Sequence, residues 1–379
     1  MTPHIKESVH KMTPSTDIKA IWWAGVNAVQ GKASVSTAIT THKITPPDRV
    51  ISVGKAAASM AAAAHAHFGA APATIVTKHG HIDDAPSHAT VIEAAHPVPD
   101  QASLTAGHAL IQAVKKCPVG SHLLFLVSGG ASSLAEVLPD HMSIEDLATK
   151  TQALLASGQD IHAMNALRKE VSLIKGGKLL AGFKGAKVTT LAISDVEGDS
   201  LGIIGSGIGA APEAHSFAFT SHIVASNQIA RQAAASALDQ PPLTNSETLC
   251  DDINILAPKI AARLRASQNG IHILGGEPTV VLPSNPGQGG RNMALALIIA
   301  REIAGTKGIR VLVAGTDGTD GPTDAAGAIV DGDTWDISGA IALERADAAP
   351  WLDAKGALFR TGPTGTNVMD LLIAECWAP

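Results

Sequence analysis

The chain has no tyrosine, and aromatic residues make up only 3% of it, so any core must rest on Val, Ile, Leu and Ala. It has no Cys-x-x-C pair. Cys117, Cys250 and Cys376 are far apart and odd in number, which excludes a disulfide framework and reads as reduced thiols. No apolar run approaches the ~18 residues needed to cross a bilayer. Met1 to Thr13 lacks the apolar stretch of a signal peptide. These absences predict a cytoplasmic protein with no membrane partner. There is no Lys/Arg block, and the formal net charge is −6, so nucleic acid is not an expected partner. The 16 histidines never fall into zinc spacing, and His65 and His67 cannot share a helix face. The Walker A spacing is missing, as is a G-x-G-x-x-G turn after the first strand. Gly205 to Gly209 reads Gly-Ser-Gly-Ile-Gly, out of register for a serine hydrolase's nucleophile elbow.

What remains is a chain of 379 residues, 45% of them hydrophobic, long enough for two domains. Ile18, Ile21, Trp22, Val26 and Val29 fall on one face of a helix over residues 17–30, with the tryptophans as packing residues. Short apolar runs then alternate with helical stretches. Arg49 to Val53 ends at Gly54-Lys55 and leads to an Ala-rich helix over 56–67. Thr74 to Thr77, Leu123 to Val127, Val188 to Ile193 and His222 to Ala225 behave alike, ending at Lys78-His79-Gly80, Ser128-Gly129-Gly130, Ser194-Asp195 and Ser226-Asn227. Alternation of this kind predicts parallel strands with helical crossovers and a ligand site at the strands' carboxyl ends. Gln240-Pro241-Pro242 interrupts the helical pattern, so one α/β domain is expected over 1–240 and a second over 245–379. The second carries strand-like runs ending at Gly275-Gly276-Glu277, Gly315-Thr316-Asp317-Gly318 and Thr361-Gly362-Pro363.

The loops carry the chemistry. Ser128-Gly129-Gly130-Ala131-Ser132-Ser133, between a strand and a helix, suits a phosphate held by free backbone N–H groups, or plain packing. Lys55 at a strand end suits phosphoryl oxygens, or bare solvent. Arg291, opening the helix 293–303 after Gly287-Gln288-Gly289-Gly290, suits a carboxylate or a transferring phosphoryl group. The acidic loops at Asp195 to Asp199 and Asp317 to Asp324 could each supply carboxylates to Mg²⁺, or simply form turns. Asp100 is placed to cap the helix 102–115. Arg168, Lys169, Lys175 and Lys178 form a basic cluster that reads as an anion site or a solvated helix face.

In order along the chain come Gly54-Lys55-Ala56-Ala57, His96-Pro97-x-Pro99-Asp100, Ser128-Gly129-Gly130, Asn165-x-x-Arg168-Lys169, Ile174-Lys175-Gly176-Gly177-Lys178 and Ser194-Asp195-Val196-x-Gly198-Asp199. Gly275-Gly276-Glu277-x-Thr279, Gly289-Gly290-Arg291-Asn292, Gly315-Thr316-Asp317-Gly318-x-Asp320-Gly321-Pro322-Thr323-Asp324 and Thr361-Gly362-Pro363-Thr364-Gly365-Thr366-Asn367 follow. This series resembles the class II glycerate kinases, a family with the older label hydroxypyruvate reductase. The resemblance runs from about residue 17 to 374. It implies a larger Rossmann-like N-terminal domain and a smaller α/β C-terminal domain, with the active site in the cleft between them. It also implies transfer from ATP, with Mg²⁺, to the 2-hydroxyl of D-glycerate, giving 2-phosphoglycerate. The family's key lysine and arginine fall on Lys55 and Arg291. Asp195 joins them as a catalytic candidate, and Ser128, Gly129, Gly130, Ser132 and Asp317 are candidates for the nucleotide. Metal ligands remain unassigned, and a homo-oligomer is left open.

Four positions depart from the family pattern: Ala131 stands for glycine, Glu170 for histidine, Ala294 for glutamate, and Ile208 opens a segment that usually reads Pro-Thr-Val. Two alternatives stay open: an NAD(P)H-dependent hydroxypyruvate reductase and, suggested by these departures, a non-catalytic ligand-binding paralogue.

Overall fold

A computed structural model describes residues 17–156 and 161–378. The expectation for Met1 to Thr13 lies outside the described residues, as does the Asn165 side chain. The described chain forms two units. The first comprises Val26–Ala230 and Thr364–Met369. The second comprises the residues up to Gly25, Arg231–Pro363, and the residues from Asp370 onward.

Six strands form the sheet of the first unit: β1 Arg49–Val53, β2 Ala73–Lys78, β3 Thr90–Ala94, β4 His122–Val127, β5 Lys187–Ile193 and β6 Ala218–Ala225. All are parallel, in the order β3-β2-β1-β4-β5-β6. Central strands covered on both faces must be apolar throughout, and β4, His-Leu-Leu-Phe-Leu-Val, is buried along its whole length. The edge strands β3 and β6 are half-exposed and mixed in character. Helices Ala57–Phe68 and Gln101–Lys115 serve as crossovers. Asp100 begins the second with a capping box, its carboxylate accepting the Ser103 N–H at 3.0 Å. The core is aliphatic, as the scarcity of aromatics requires, with Phe125 among its few rings.

The second unit holds a mixed sheet of β7 Thr244–Glu247, β8 Gly270–Gly276, β9 Ile309–Gly315, β10 Gly327–Asp331, β11 Leu358–Phe359 and β12 Asp370–Cys376. Its order is β11-β10-β9-β12-β8-β7, antiparallel except for β7 against β8. Helices Ile253–Arg265 and Arg291–Glu302 bury an aliphatic face in one core with it. Trp22, fully buried, meets Phe359 edge-on at 5.2 Å, so the tryptophan is a packing residue. The α/β class is as the sequence predicts, with a larger Rossmann-like unit and a smaller α/β unit. The strands that escaped are the edges β3, mixed in character, and β7, polar throughout, and β10 and β12, which sit beside long glycine-rich motifs. Gln240-Pro241-Pro242 lies between the helix Asn227–Ser236 and β7, within the second unit.

Candidate active site

In the first unit the sheet order reverses at β1 and β4, which pair with each other while their onward connections lead to opposite edges. A parallel sheet opens a crevice at the carboxyl ends of such a pair. The two turns there are tied together. The Lys55 N–H donates to the Gly129 carbonyl at 2.9 Å, and the Ala56 N–H to Ser128 Oγ at 3.1 Å. The approach requires glycine: Gly54 has φ +131°, and a Cβ there would overlap Ser128. A Cβ on Gly129 would overlap the Asp195 carboxylate, and one on Gly130 would come within 3.1 Å of both Lys55 Cγ and His96 Cδ2. The fold thus brings Lys55, Ser128, Gly129, Gly130 and Asp195 together. The Gly129 and Gly130 N–H groups donate to no described residue, and the Lys55 ammonium has no ion pair or hydrogen bond among them. The helix after this loop is a single turn, Ala131–Leu134.

Beside the loop lies a cavity of ≈ 210 Å³, lined in part by His96, Ser132, Arg168, Asp195 and Ser206. Ser132 Oγ and Ser206 Oγ are 2.6 Å apart, and Arg168 Nη1 donates to Ser132 Oγ at 3.3 Å. Ser206 has φ +57° between Gly205 and Gly207, which are also left-handed. A non-glycine residue in that region is strained and marks a place where side-chain direction matters. Burial, and then the charges of Lys55, Lys78 and Arg168, push the His96 pKa down to about 4, so the imidazole is neutral near pH 7. Burial also lowers the Arg168 pKa, with Glu136 opposing.

Two lysines of the basic cluster have structural work instead. Lys175 is fully buried. Its Nζ donates to the Ser132 and Ala135 carbonyls, both at 2.6 Å, and lies 3.6 Å from Glu136 Oε2. Glu136 also accepts from the Ser172 hydroxyl and, at 2.9 Å, from the Val137 N–H. Lys178 caps the helix Ile161–Val171 and its exit, donating to the Lys169 and Ser172 carbonyls at 2.6 and 2.7 Å. Of the cluster, Arg168 reaches the cavity.

In the second unit, β12 runs antiparallel to β8 and β9, so its first residue, Asp370, pairs with Gly276 and Gly315 at their carboxyl ends. Arg291 is held there. Its Nε donates to Asp370 Oδ2 at 2.7 Å, and its Nη1 to Glu277 Oε1 at 2.6 Å. Burial works against the guanidinium charge, but Asp370 and then Glu277 more than offset it and raise its pKa. Burial raises the Asp370 pKa, which Arg291 partly counters. Asp320 caps the helix Arg291–Glu302 by accepting the Asn292 and Met293 N–H groups at 3.2 and 2.7 Å. Burial pushes Asp320 up to about 7 against those bonds. Asp317 Oδ1 accepts from the Thr319 N–H and hydroxyl, both at 3.0 Å. Arg291 and Asp317 therefore share this end of the second sheet. Asp370 and Glu277 carry no candidate role in the sequence reading, and Asp320 enters it only within the acidic loop offered to Mg²⁺. His96, Arg168 and Ser206 likewise pass there as a loop, a basic cluster and a misregistered serine.

Among the described residues no group of three or more His, Cys, Asp or Glu side chains could hold a metal ion, and no helix is long and apolar enough to cross a membrane.

Residues 17–240 match a family described as a domain of unknown function, DUF4147, and residues 270–370 match the MOFRL family. A protein of Thermotoga maritima named D-glycerate 2-kinase is 35% identical over 86% of this chain and 90% of its own. An Agrobacterium vitis relative, named only provisionally as a hydroxypyruvate reductase, is 34% identical over 85% of each chain. The crystal structure of a glycerate kinase from Thermotoga maritima superposes with a TM-score of 0.85 at 31% identity, covering 94% of this chain and 98% of that one. With both family matches in sequence order, and a glycerate kinase structure aligned over nearly all of both chains, this chain belongs to the glycerate 2-kinase family.

Proposed function

We propose that the protein transfers the γ-phosphoryl group of ATP to the 2-hydroxyl of D-glycerate, or of a close small hydroxy acid, giving 2-phosphoglycerate or its analogue. The observation that carries this reading is Lys55: an ammonium with no counter-ion among the described residues, next to two backbone N–H groups with no acceptor, at the β1/β4 switch point. Phosphoryl transfer needs positioning and neutralised equatorial oxygens more than covalent chemistry. Lys55 and the Gly129 and Gly130 amides supply such neutralisation, with Ser132 beside them. Arg291 is the second candidate for phosphoryl oxygens, its Nη2 being the end that Asp370 and Glu277 leave uncommitted. Asp195, against Gly129, accepts the proton of the attacking hydroxyl.

Mg²⁺ usually keeps several waters and binds through one or two carboxylates plus substrate phosphates. Asp317 fits that demand, because Thr319 takes only its Oδ1. The ion, carried by the nucleotide, would supply charge neutralisation at the phosphates. A cytoplasmic setting agrees with the buried, reduced thiols of Cys117 and Cys376.

The test is coupled ADP release with D-glycerate, tartronate and tetronates. Turnover with at least one acid is expected, and no ADP release with any would refute the reading. The reductase alternative draws on the sheet order, which dinucleotide-binding folds share, and on the name of the Agrobacterium vitis relative. NAD(P)H oxidation by hydroxypyruvate would favour it. The turn after β1, Gly54-Lys55-Ala56-Ala57, lacks the glycine spacing such cofactors need.

A further inference from the structure

Around the first unit's cavity, which Asp195 also lines, two cations stand without an ion pair among the described residues. Arg168 is half-buried, yet its guanidinium makes one hydrogen bond among the described residues, to the Ser132 hydroxyl, with no carboxylate partner. The nearest buried acid, Glu136, is already engaged by the fully buried Lys175, the Ser172 hydroxyl and the Val137 N–H. Lys55 is also without a counter-ion, and His96 between them is neutral. A desolvated guanidinium without an anion is costly to keep, and a bound anion would remove that cost. Beside Arg168, Ser132 and Ser206 place two hydroxyls within 2.6 Å of each other, the second fixed by its left-handed backbone. A planar fork flanked by hydroxyl donors is suited to a planar oxyanion.

We propose that Arg168, Ser132 and Ser206 form an oxyanion seat in this cavity, and that it takes the carboxylate of the hydroxy-acid acceptor. The identity of the acceptor rests on the kinase reading above. The placement accounts for the position of transfer. Ser132 follows the Ser128-Gly129-Gly130 loop directly, and Lys55 packs on Gly130. An acid anchored at its carboxylate presents the hydroxyl on the adjacent carbon towards that loop, with the terminal hydroxyl one carbon further away. Phosphoryl oxygens share the same chemistry, so the test must separate the two sources.

The experiment measures KM for D-glycerate and for ATP in the wild type, Arg168→Met and Ser206→Ala, with melting temperatures to establish folding. Arg168→Met is expected to raise KM for D-glycerate at least ~10-fold, the scale of losing a hydrogen bond to a charged group, and Ser206→Ala to raise it less. KM for ATP should stay within about twofold on the same scale. Arg168→Lys should recover part of the loss. An unchanged KM for D-glycerate in both folded variants overturns the seat. A rise confined to ATP assigns the residues to phosphoryl oxygens and overturns the carboxylate assignment. If the wild type phosphorylates no hydroxy acid, the kinase reading fails separately, and calorimetric titration with D-glycerate decides the seat. Binding weakened in Arg168→Met supports it, and equal or absent binding in the wild type and the variant overturns it. If Arg168→Met does not fold, Ser206→Ala carries both measurements.

Discussion

Cations are treated in opposite ways in the two units. In the parallel-sheet unit Lys55 and Arg168 stand at strand ends and in a cavity without counter-ions among the described residues. In the mixed-sheet unit Arg291 is gripped by Asp370 and Glu277. The difference follows from topology. An all-parallel sheet gathers loops, not strand starts, at its carboxyl edge, and those loops here are glycine-rich. An antiparallel strand such as β12 returns to that edge with its own first residue, here an aspartate facing the arginine. Uncompensated cations are available to an anionic ligand. A clamped one gives up that freedom for a fixed direction.

Lys175 is the buried exception in the first unit and should show the largest effect on stability. Lys175→Met leaves Glu136 buried without its cation, at a cost of about 3–5 kcal/mol. Chemical denaturation would measure this, and Lys175→Met with Glu136→Gln should recover much of it. A loss below about 1 kcal/mol in the single variant, the scale of a surface pair, would mean that the pair does not hold the turn after the Ser128-Gly129-Gly130 loop.

Next come the two catalytic candidates. Lys55→Ala and Arg291→Ala should each lower kcat at least ~10²-fold, on the scale of losing one electrostatic stabiliser. Their stabilities should diverge. Arg291→Ala takes the one ion-paired cation from the buried Asp370, leaving it the Asn292 amide, and should cost about 3 kcal/mol, whereas Lys55→Ala breaks no pair and should leave the melting curve in place. Equal losses of stability would erase the contrast between the units, and near-normal turnover in both would remove the roles.

The smallest effect is a pH dependence. The folded pKa of His96 is about 4, against an ordinary 6.5, because of burial and then the facing charges of Lys55, Lys78, Arg168 and His81. Between those values the unfolded chain binds a proton that the folded protein does not, so stability falls as pH drops from 6.5 towards 4. His96→Asn should remove part of that slope in urea melts. The same slope in wild type and variant would mean that neither burial nor the facing cations hold the imidazole neutral.

The parallel sheet and its site loops are legible because buried central strands must be apolar runs and because tight strand-end turns need glycine. Lys55, Ser128, Gly129, Gly130 and Asp195 can be picked out on those grounds, and they meet in space. The partners of Arg291 cannot be found by spacing, since Asp370 is 79 residues away and becomes relevant only once β12 is known to run antiparallel. Lys175 in Lys-Gly-Gly-Lys reads as part of an anion site or a solvated helix face, and only packing shows it buried against carbonyls. The edge strand β7, Thr-Asn-Ser-Glu, has no apolar alternation to detect.

The most direct check is phosphorus NMR of the product formed by the wild-type protein from ATP, Mg²⁺ and D-glycerate. A new phosphate-ester signal coupled to the single proton on carbon 2 is the expected result. An ester coupled to the terminal methylene protons, or no ester at all, would contradict the account.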